Sequence, residues 1–262
     1  MGIFSFAAVA LPLLLSILSG AVFACPPSDR EALLSSTAIR RFTDVSLRGE
    51  SEDPILQKPG HSNSGYMTGS INPSVFQLDK LSTLIIADWK GITGQIPPCV
   101  APLPNLRVLD LIGNSLSGKI PTHAESCFTE SKQTHRNNPS FHRRFGNMNR
   151  LADLDSSINK LRGQIPAQLG KMKVLATLNL HNNMFSGTIP AAVLGNSGYM
   201  VLDLSFNNPK GSVPKSLLSA KYVGHLDLSH NRLCGEIPVG TPFDHLEASS
   251  FDGNEFLCGN PL

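Results

Sequence analysis

Aromatic residues make up only 6% of this 262-residue chain, which contains a single tryptophan, Trp89. One compact core of that length ordinarily draws on more ring area, so the scarcity points to an interior filled by repeated medium-sized side chains. Charge is sparse too, at 16% of residues with a net of +2. That balance excludes an acidic solvating tail and a strongly basic nucleic-acid surface. The 41% hydrophobic content is enough for a folded interior.

Chemical signatures are missing as well. The chain has no G-x-S-x-G elbow, HExxH pair, G-x-x-x-x-G-K loop or kinase signature, and its eight histidines are scattered. No catalytic residue, cofactor or metal site is therefore expected. Asn72 and Asn138 are each followed by Pro, which removes them as N-glycan acceptors.

Residues 1–28 lack any charged side chain. Within them Phe6–Ala24 is apolar, interrupted by Pro12, Ser16, Ser19 and Gly20, and it ends in Val22-Phe23-Ala24, which puts Val22 and Ala24 at the −3 and −1 positions of a signal-peptidase cut before Cys25. A secretory signal over residues 1–24 is expected, although it has no basic leader. No second apolar run of spanning length follows, so no membrane span is expected once the signal is removed. Secretion makes Cys25, Cys99, Cys127, Cys234 and Cys258 candidate disulfide partners, and the odd number leaves at least one without an intramolecular mate.

What the chain does have is a period. The segments beginning at Leu154, Leu178, Leu202 and Leu226 align without a gap, at steps of 24 residues. Asn159, Asn183, Asn207 and Asn231 follow in phase, as do Gly163, Gly187, Gly211 and Gly235, then Pro166, Pro190, Pro214 and Pro238. Leu109-Asp110-Leu111 with Asn114, Gly118 and Pro121 is an earlier copy. Leu84 to Pro97 is one residue longer, predicting a bulge around Asp88-Trp89-Lys90, and Val45-Ser46-Leu47 opens the series, with Thr68–Ile71 completing its first unit. Alternating Leu-x-Leu is a short strand with one face inward. The Asn amide can satisfy buried backbone groups in the turn, Gly permits that turn, and Ile-Pro sets an extended return. One such unit cannot bury its own apolar face, so neighbours stack.

These residues resemble the plant extracellular leucine-rich-repeat class, whose unit reads LxxLxxLxLxxNxLxGxIP, over about residues 40–121 and 148–262. Phe42 to Asp53, Ala87 to Gly94 and Ala220 to Asp227 look more closely like the plant DNA-damage-repair/toleration family, itself similar to polygalacturonase-inhibiting proteins. The resemblance implies an α/β repeat solenoid: a right-handed curved superhelix with a parallel sheet on the concave face and short 3-10, helical and extended segments on the convex side. Its expected parts are a signal peptide (1–24), a degenerate N-terminal cap (25–41), repeats (42–121), an irregular insertion (122–147), further repeats (148–238) and a truncated C-terminal cap (239–262).

Against the resemblance, the N-terminal cap lacks the other cysteines, and Phe256 stands where relatives have one more. A Cys234–Cys258 bridge is one possible connectivity. The stretch from Thr122 to Asn147 has no Leu and no repeat landmark. Its composition reads as a coreless loop; the spacing of His123, Cys127, His135 and His142 matches no familiar metal motif, and a basic contact with an acidic polymer is the remaining reading.

The functional expectation is a secreted, non-enzymatic binding protein of the extracellular space or cell wall. Asp155, Asn179, Asp203 and Asp227 form an outward column on the concave face, continuing from Asp110. Beside it run Ser157, His181, Ser205 and Ser229, then Ile158, Asn182, Phe206 and His230. With Phe206 as an apolar anchor, the face would accept a basic protein or peptide surface, a cell-wall hydrolase among the candidates. A soluble interaction protein or receptor-like fragment is the alternative; a DNA-damage role rests on the family name alone, and no nucleic acid partner is expected.

Overall fold

The computed structural model describes residues 43–49, 68–78, 80–100, 103–121, 150–194, 198–220, 222–240 and 243–262. The expected signal, N-terminal cap and insertion lie outside these residues, and so do Cys25 and Cys127.

The Leu-x-Leu segments form strands, and each is followed within its coil by a second strand. The first set comprises β1 (Asp44–Arg48), β3 (Thr83–Ala87), β5 (Val108–Asp110), β7 (Asp153–Asp155), β9 (Thr177–Asn179), β11 (Tyr199–Asp203) and β13 (Val223–Asp227). They line up in that order as one seven-stranded sheet, every pair parallel. The second set comprises β2 (Thr68–Ser70), β4 (Gly91–Thr93), β6 (Ser117–Gly118), β8 (Lys160–Gln164), β10 (Met184–Gly187), β12 (Asn208–Gly211), β14 (Arg232–Glu236) and β15 (Phe256–Cys258). Six of these, β6 to β15, make a second parallel sheet, and β2 pairs with β4. Short 3-10 turns such as Ala167–Lys171 and Lys215–Ser219, and one helical turn at Ala191–Leu194, return the chain after each Pro. The expected solenoid is the observed fold.

The interior is the stack of inward leucines. Leu109, Leu111, Leu178, Leu180, Leu202, Leu204, Leu226 and Leu228 are all buried, backed by Ile165, Ile189, Val213 and Ile237 from the return segments. Each fully buried side chain of this kind contributes about 1.5–3 kcal/mol. Gly170 allows the returns to touch: a Cβ there would stand 1.9 Å from the backbone oxygen of Ala192.

Asparagines tie one coil to the next. Asn207 Nδ2 donates to the carbonyls of Leu180, Leu204 and Ser205 at 2.9, 3.2 and 3.0 Å, and its Oδ1 accepts from the Phe185 N–H at 3.0 Å. Asn114, Asn159, Asn183 and Asn231 likewise donate to a carbonyl of the preceding coil. In the coil of Leu84 the rung is Trp89. Its indole N–H donates to Leu47 O at 3.1 Å, the place in the ladder that Asn114 takes on Ile86 O at 2.6 Å. The expected extra residue is there as well, since Leu84 pairs with Leu109, 25 residues on, against 24 for Leu154 and Leu178.

Two features were not expected. Leu109 pairs directly with Leu154, 45 residues on, and Asn159 Nδ2 reaches Leu111 O at 2.8 Å. The coils on either side of residues 122–149 therefore stack with no rung missing. At the other end, Asn254 supplies a further rung 23 residues after Asn231, donating to Leu228 O at 3.0 Å and Phe251 O at 2.8 Å, while β15 pairs with β14. The segment read as a truncated cap continues the coil, with Phe251 in place of the inward Leu.

The Cys234–Cys258 bridge is not formed; both thiols are free. Cys234 pairs with Phe256, and Cys258 with Glu236. A two-residue offset across neighbouring strands puts the Cα atoms about 8 Å apart, given a strand spacing of about 4.8 Å and a rise of about 3.3 Å. A disulfide reaches at most about 7 Å.

Candidate binding face

The register of the long sheet aligns Asp110, Asp155, Asn179, Asp203 and Asp227 across five neighbouring strands. Each begins with one local task. Its Oδ1 accepts the N–H two residues on: Ile112 for Asp110, Ser157 for Asp155, His181 for Asn179, Ser205 for Asp203 and Ser229 for Asp227. Ser157 and Ser205 add hydroxyl hydrogen bonds of 2.6 Å to the same oxygens. A short acceptor at this place ends the strand and closes the turn that leads to the Asn rung. The serines that the sequence placed beside the column are thus not surface: Ser157, Ser205 and Ser229 are buried.

What remains for a partner is the second oxygen of each carboxylate. Asp110 Oδ2 is taken by Arg48 at 2.7 Å, a guanidinium that also meets Asp88 at 3.2 Å. Asp155 Oδ2 accepts from Asn179 Nδ2 at 3.0 Å. Burial is the main influence on the Asp155 carboxyl and pushes it above its ordinary value; the Ser157 hydroxyl and N–H pull it back, the Asp110 charge raises it further, and Asn179 lowers it. Asp203 Oδ2 stands 4.0 Å from His181 Nδ1, and that nitrogen lies 2.8 Å from Ser205 Oγ. The open acidic end of the column is therefore Asp203 and Asp227.

Phe206 lies beside that end. It follows the strand in a left-handed turn, φ 52°, as do Ile158, Asn182 and His230 in their coils. The ring is 47% exposed, stacked on His230 at a centroid distance of 4.1 Å and met edge-on by His181 at 5.3 Å. His181 and His230, which run beside the column in sequence, sit in the turns just past the strands. All seven residues singled out for binding converge on one face.

Sequence reasoning missed His225, although strand alternation puts it on the face of Asp227, two residues on. Ligand atoms of Asp203, His225 and Asp227 lie within 4.8 Å of one another. They could turn toward a divalent cation, but two ligands of one metal at about 2.1 Å lie no more than about 4.2 Å apart, so this is not a preformed shell. Arg48 was missed for a different reason: its partners are 40 and 62 residues away in the chain.

Known proteins share this architecture. A family model described as Leucine Rich Repeat matches residues 105–127, 174–196 and 223–242. The DNA damage-repair/toleration protein DRT100 of Arabidopsis thaliana is 62% identical over 76 residues, covering 29% of this chain and 20% of that protein. The match thus spans about a fifth of that relative. Among solved structures, the ectodomain of the Arabidopsis thaliana receptor kinase GASSHO1/SCHENGEN3, in complex with CASPARIAN STRIP INTEGRITY FACTOR 2, gives a TM-score of 0.61 at 32% identity, over 74% of this chain and 20% of that one. The ectodomain of the Arabidopsis receptor kinase HAESA, in complex with an IDA peptide hormone, gives 0.57 at 32%, over 73% and 28%. With coil and asparagine ladder in place, the described residues form a leucine-rich-repeat solenoid, similar in the matched span to DRT100.

Proposed function

We propose that the chain is a secreted binding module that takes a protein or peptide on the open face of its last coils. Asp203 and Asp227 accept hydrogen bonds or pair with basic groups through their second oxygens, and Phe206 is the apolar anchor. The observation that carries this reading is Phe206. A bulky residue in the left-handed region is disfavoured, and this one leaves nearly half of its surface in solvent between two imidazoles. The left-handed turn is shared by Ile158, Asn182 and His230 in their coils, so what sets this position apart is the exposed ring.

The peptide complexes of the GASSHO1/SCHENGEN3 and HAESA ectodomains support the class of ligand. The uncharged leader at residues 1–24 supports export, and no helix among the described residues is long and apolar enough to cross a membrane. A cell-wall hydrolase is the finer reading of the partner, carried by the resemblance to polygalacturonase-inhibiting proteins.

A pull-down from secreted plant and fungal proteins, with a polygalacturonase inhibition assay, tests both levels. The Asp155, Asp203 and Asp227 to Asn triple variant, which keeps the Oδ1 acceptors of the turns and removes the charge, should lose the captured partner while remaining folded. Capture unchanged in that variant and in Phe206→Ala would move the site elsewhere. Capture without inhibition would leave the binding module and remove the hydrolase.

A further inference from the structure

A second polar surface lies on the other edge of the long sheet, where the strands begin. A shallow depression of about 450 Å³ there is lined by Thr43, Lys80, Ser82, Asn105, Arg107 and Arg150. These residues immediately precede or open β1, β3, β5 and β7, so four successive coils each contribute. The backbone fixes their order: Ser82 N–H donates to Thr43 O at 2.6 Å, Arg107 N–H to Ser82 O at 2.7 Å and Ala152 N–H to Arg107 O at 2.8 Å. The cations are thus carried on neighbouring coils at the strand spacing of about 4.8 Å. From Lys80 to Arg150 the base of the array spans two such steps, about 10 Å.

The lining is one-sided in charge. It holds three cations, two hydroxyls and one amide, and no carboxylate. Among the described residues none of the three cations has an acidic partner, whereas Arg48 on the concave side is bound by two. Arg150 Nη1 donates to Asn105 Oδ1 at 3.1 Å, which steadies the guanidinium and leaves its other N–H groups to a ligand. Two carboxylates stand next to this edge: Asp44, turned to the hydroxyl of Thr43 at 2.6 Å, and Asp153, which opens β7 and is not part of the lining.

We infer that this depression binds an acidic peptide segment laid across the coils, its carboxylates meeting Lys80, Arg107 and Arg150 in turn. Planar guanidinium groups match carboxylates in paired hydrogen bonds. An extended peptide advances about 3.3 Å per residue, so acidic residues three apart span the same 10 Å as the cations. A nucleic acid fits poorly, because the chain as a whole carries only +2. This site is separate from Phe206 and the Asp203–Asp227 column, and opposite in sign.

The test is fluorescence anisotropy of the full chain with a labelled hexaglutamate peptide, and with hexalysine for comparison. Hexaglutamate should bind and hexalysine should not bind at this edge. The variant Lys80→Gln/Arg107→Gln/Arg150→Gln should weaken hexaglutamate roughly tenfold or more, and Lys160→Gln/Lys210→Gln, neutralising two exposed lysines of the second sheet, should leave it unchanged. Raising salt from 0.01 to 0.15 M, which shortens the screening length from about 30 to about 8 Å, should weaken the wild type more than the triple variant. Should the triple variant not fold, Arg107→Gln and Arg150→Gln singly are each expected to lose several-fold. Equal affinity in wild type and cation variants would overturn the inference. So would an equal loss in the lysine control, or tighter binding of hexagalacturonate than of hexaglutamate.

Discussion

In the coils before residue 122 the outward position after the first strand leucine carries Ile85 and then Asp110, and Asp110 is bound by Arg48 at 2.7 Å. In the coils after residue 149 the same position carries Asp155, Asn179, Asp203 and Asp227, and no Lys or Arg meets them among the described residues. The turns differ in the same direction. The early coils place Asp88 and Gly113 where the later ones place Ile158, Asn182, Phe206 and His230. The early coils also break the ladder's residue type, with Trp89 as a rung, and the later ones keep asparagine throughout. Where the 24-residue step is kept, the ladder and turns are self-sufficient and the face carries half-buried carboxylates that no Lys or Arg meets, beside an exposed ring. Where the step drifts, the same positions are closed internally by a charge pair and an indole.

The largest expected effect tests the self-sufficiency of the late coils. Asn207→Ala takes one of two donors from the carbonyls of Leu180, Leu204 and Ser205 and leaves the buried Phe185 N–H without its acceptor, and should cost about 2–3 kcal/mol in urea unfolding. Trp89→Phe in the early coils removes one hydrogen bond and should cost about 1 kcal/mol; equal losses would erase the distinction. Ser156 is the weak point of the late series. It stands at an inward Leu position, and its hydroxyl is buried with no partner among the described residues. It lies beside a cavity of about 20 Å³ lined also by Leu109, Leu154 and Leu169. Ser156→Ala should raise stability by about 1 kcal/mol, seen as a higher melting temperature.

Smaller still is Phe206→Asn. Asparagine tolerates the left-handed turn, so stability should hold or rise by a few tenths to about 1 kcal/mol, while partner capture falls. A clear loss of stability would make the ring a packing element. The smallest effect is electrostatic. Folding raises the Asp155 carboxyl above its ordinary 3.8, so the folded state holds that proton more tightly. Its contribution is whole below the unfolded value and is lost as pH rises through the folded one. Asp155→Asn should remove that decline, measured as unfolding midpoint against pH from 3.8 upward.

The repeat was legible because three landmarks stay in phase, and the extra residue near Trp89 because they slip by one. The carboxylate column was legible as a row of neighbours, but not its first occupation. The cue was present in the Asp-x-Ser spacing of Asp155–Ser157 and Asp203–Ser205, the span of an Asx-type turn. Asn254 was hidden by a 23-residue step and by Phe251 replacing a leucine. The cluster of Lys80, Arg107 and Arg150 was hidden more deeply, since only the pairing of Leu109 with Leu154 makes the last two neighbours. That pairing joins residues 45 apart in the chain, a step that no other coil uses.

The asparagine rungs also impose an order of assembly. Asn159, Asn183, Asn207, Asn231 and Asn254 each bond to their own coil and to the coil made just before it. A nascent chain can therefore lock each coil as soon as its asparagine leaves the ribosome, because everything that rung donates to has already been synthesised. The side-chain rungs thus run in one direction, each donated back to the coil before it, while backbone N–H groups such as those of Ser156 and Leu180 wait for carbonyls of the coil that follows.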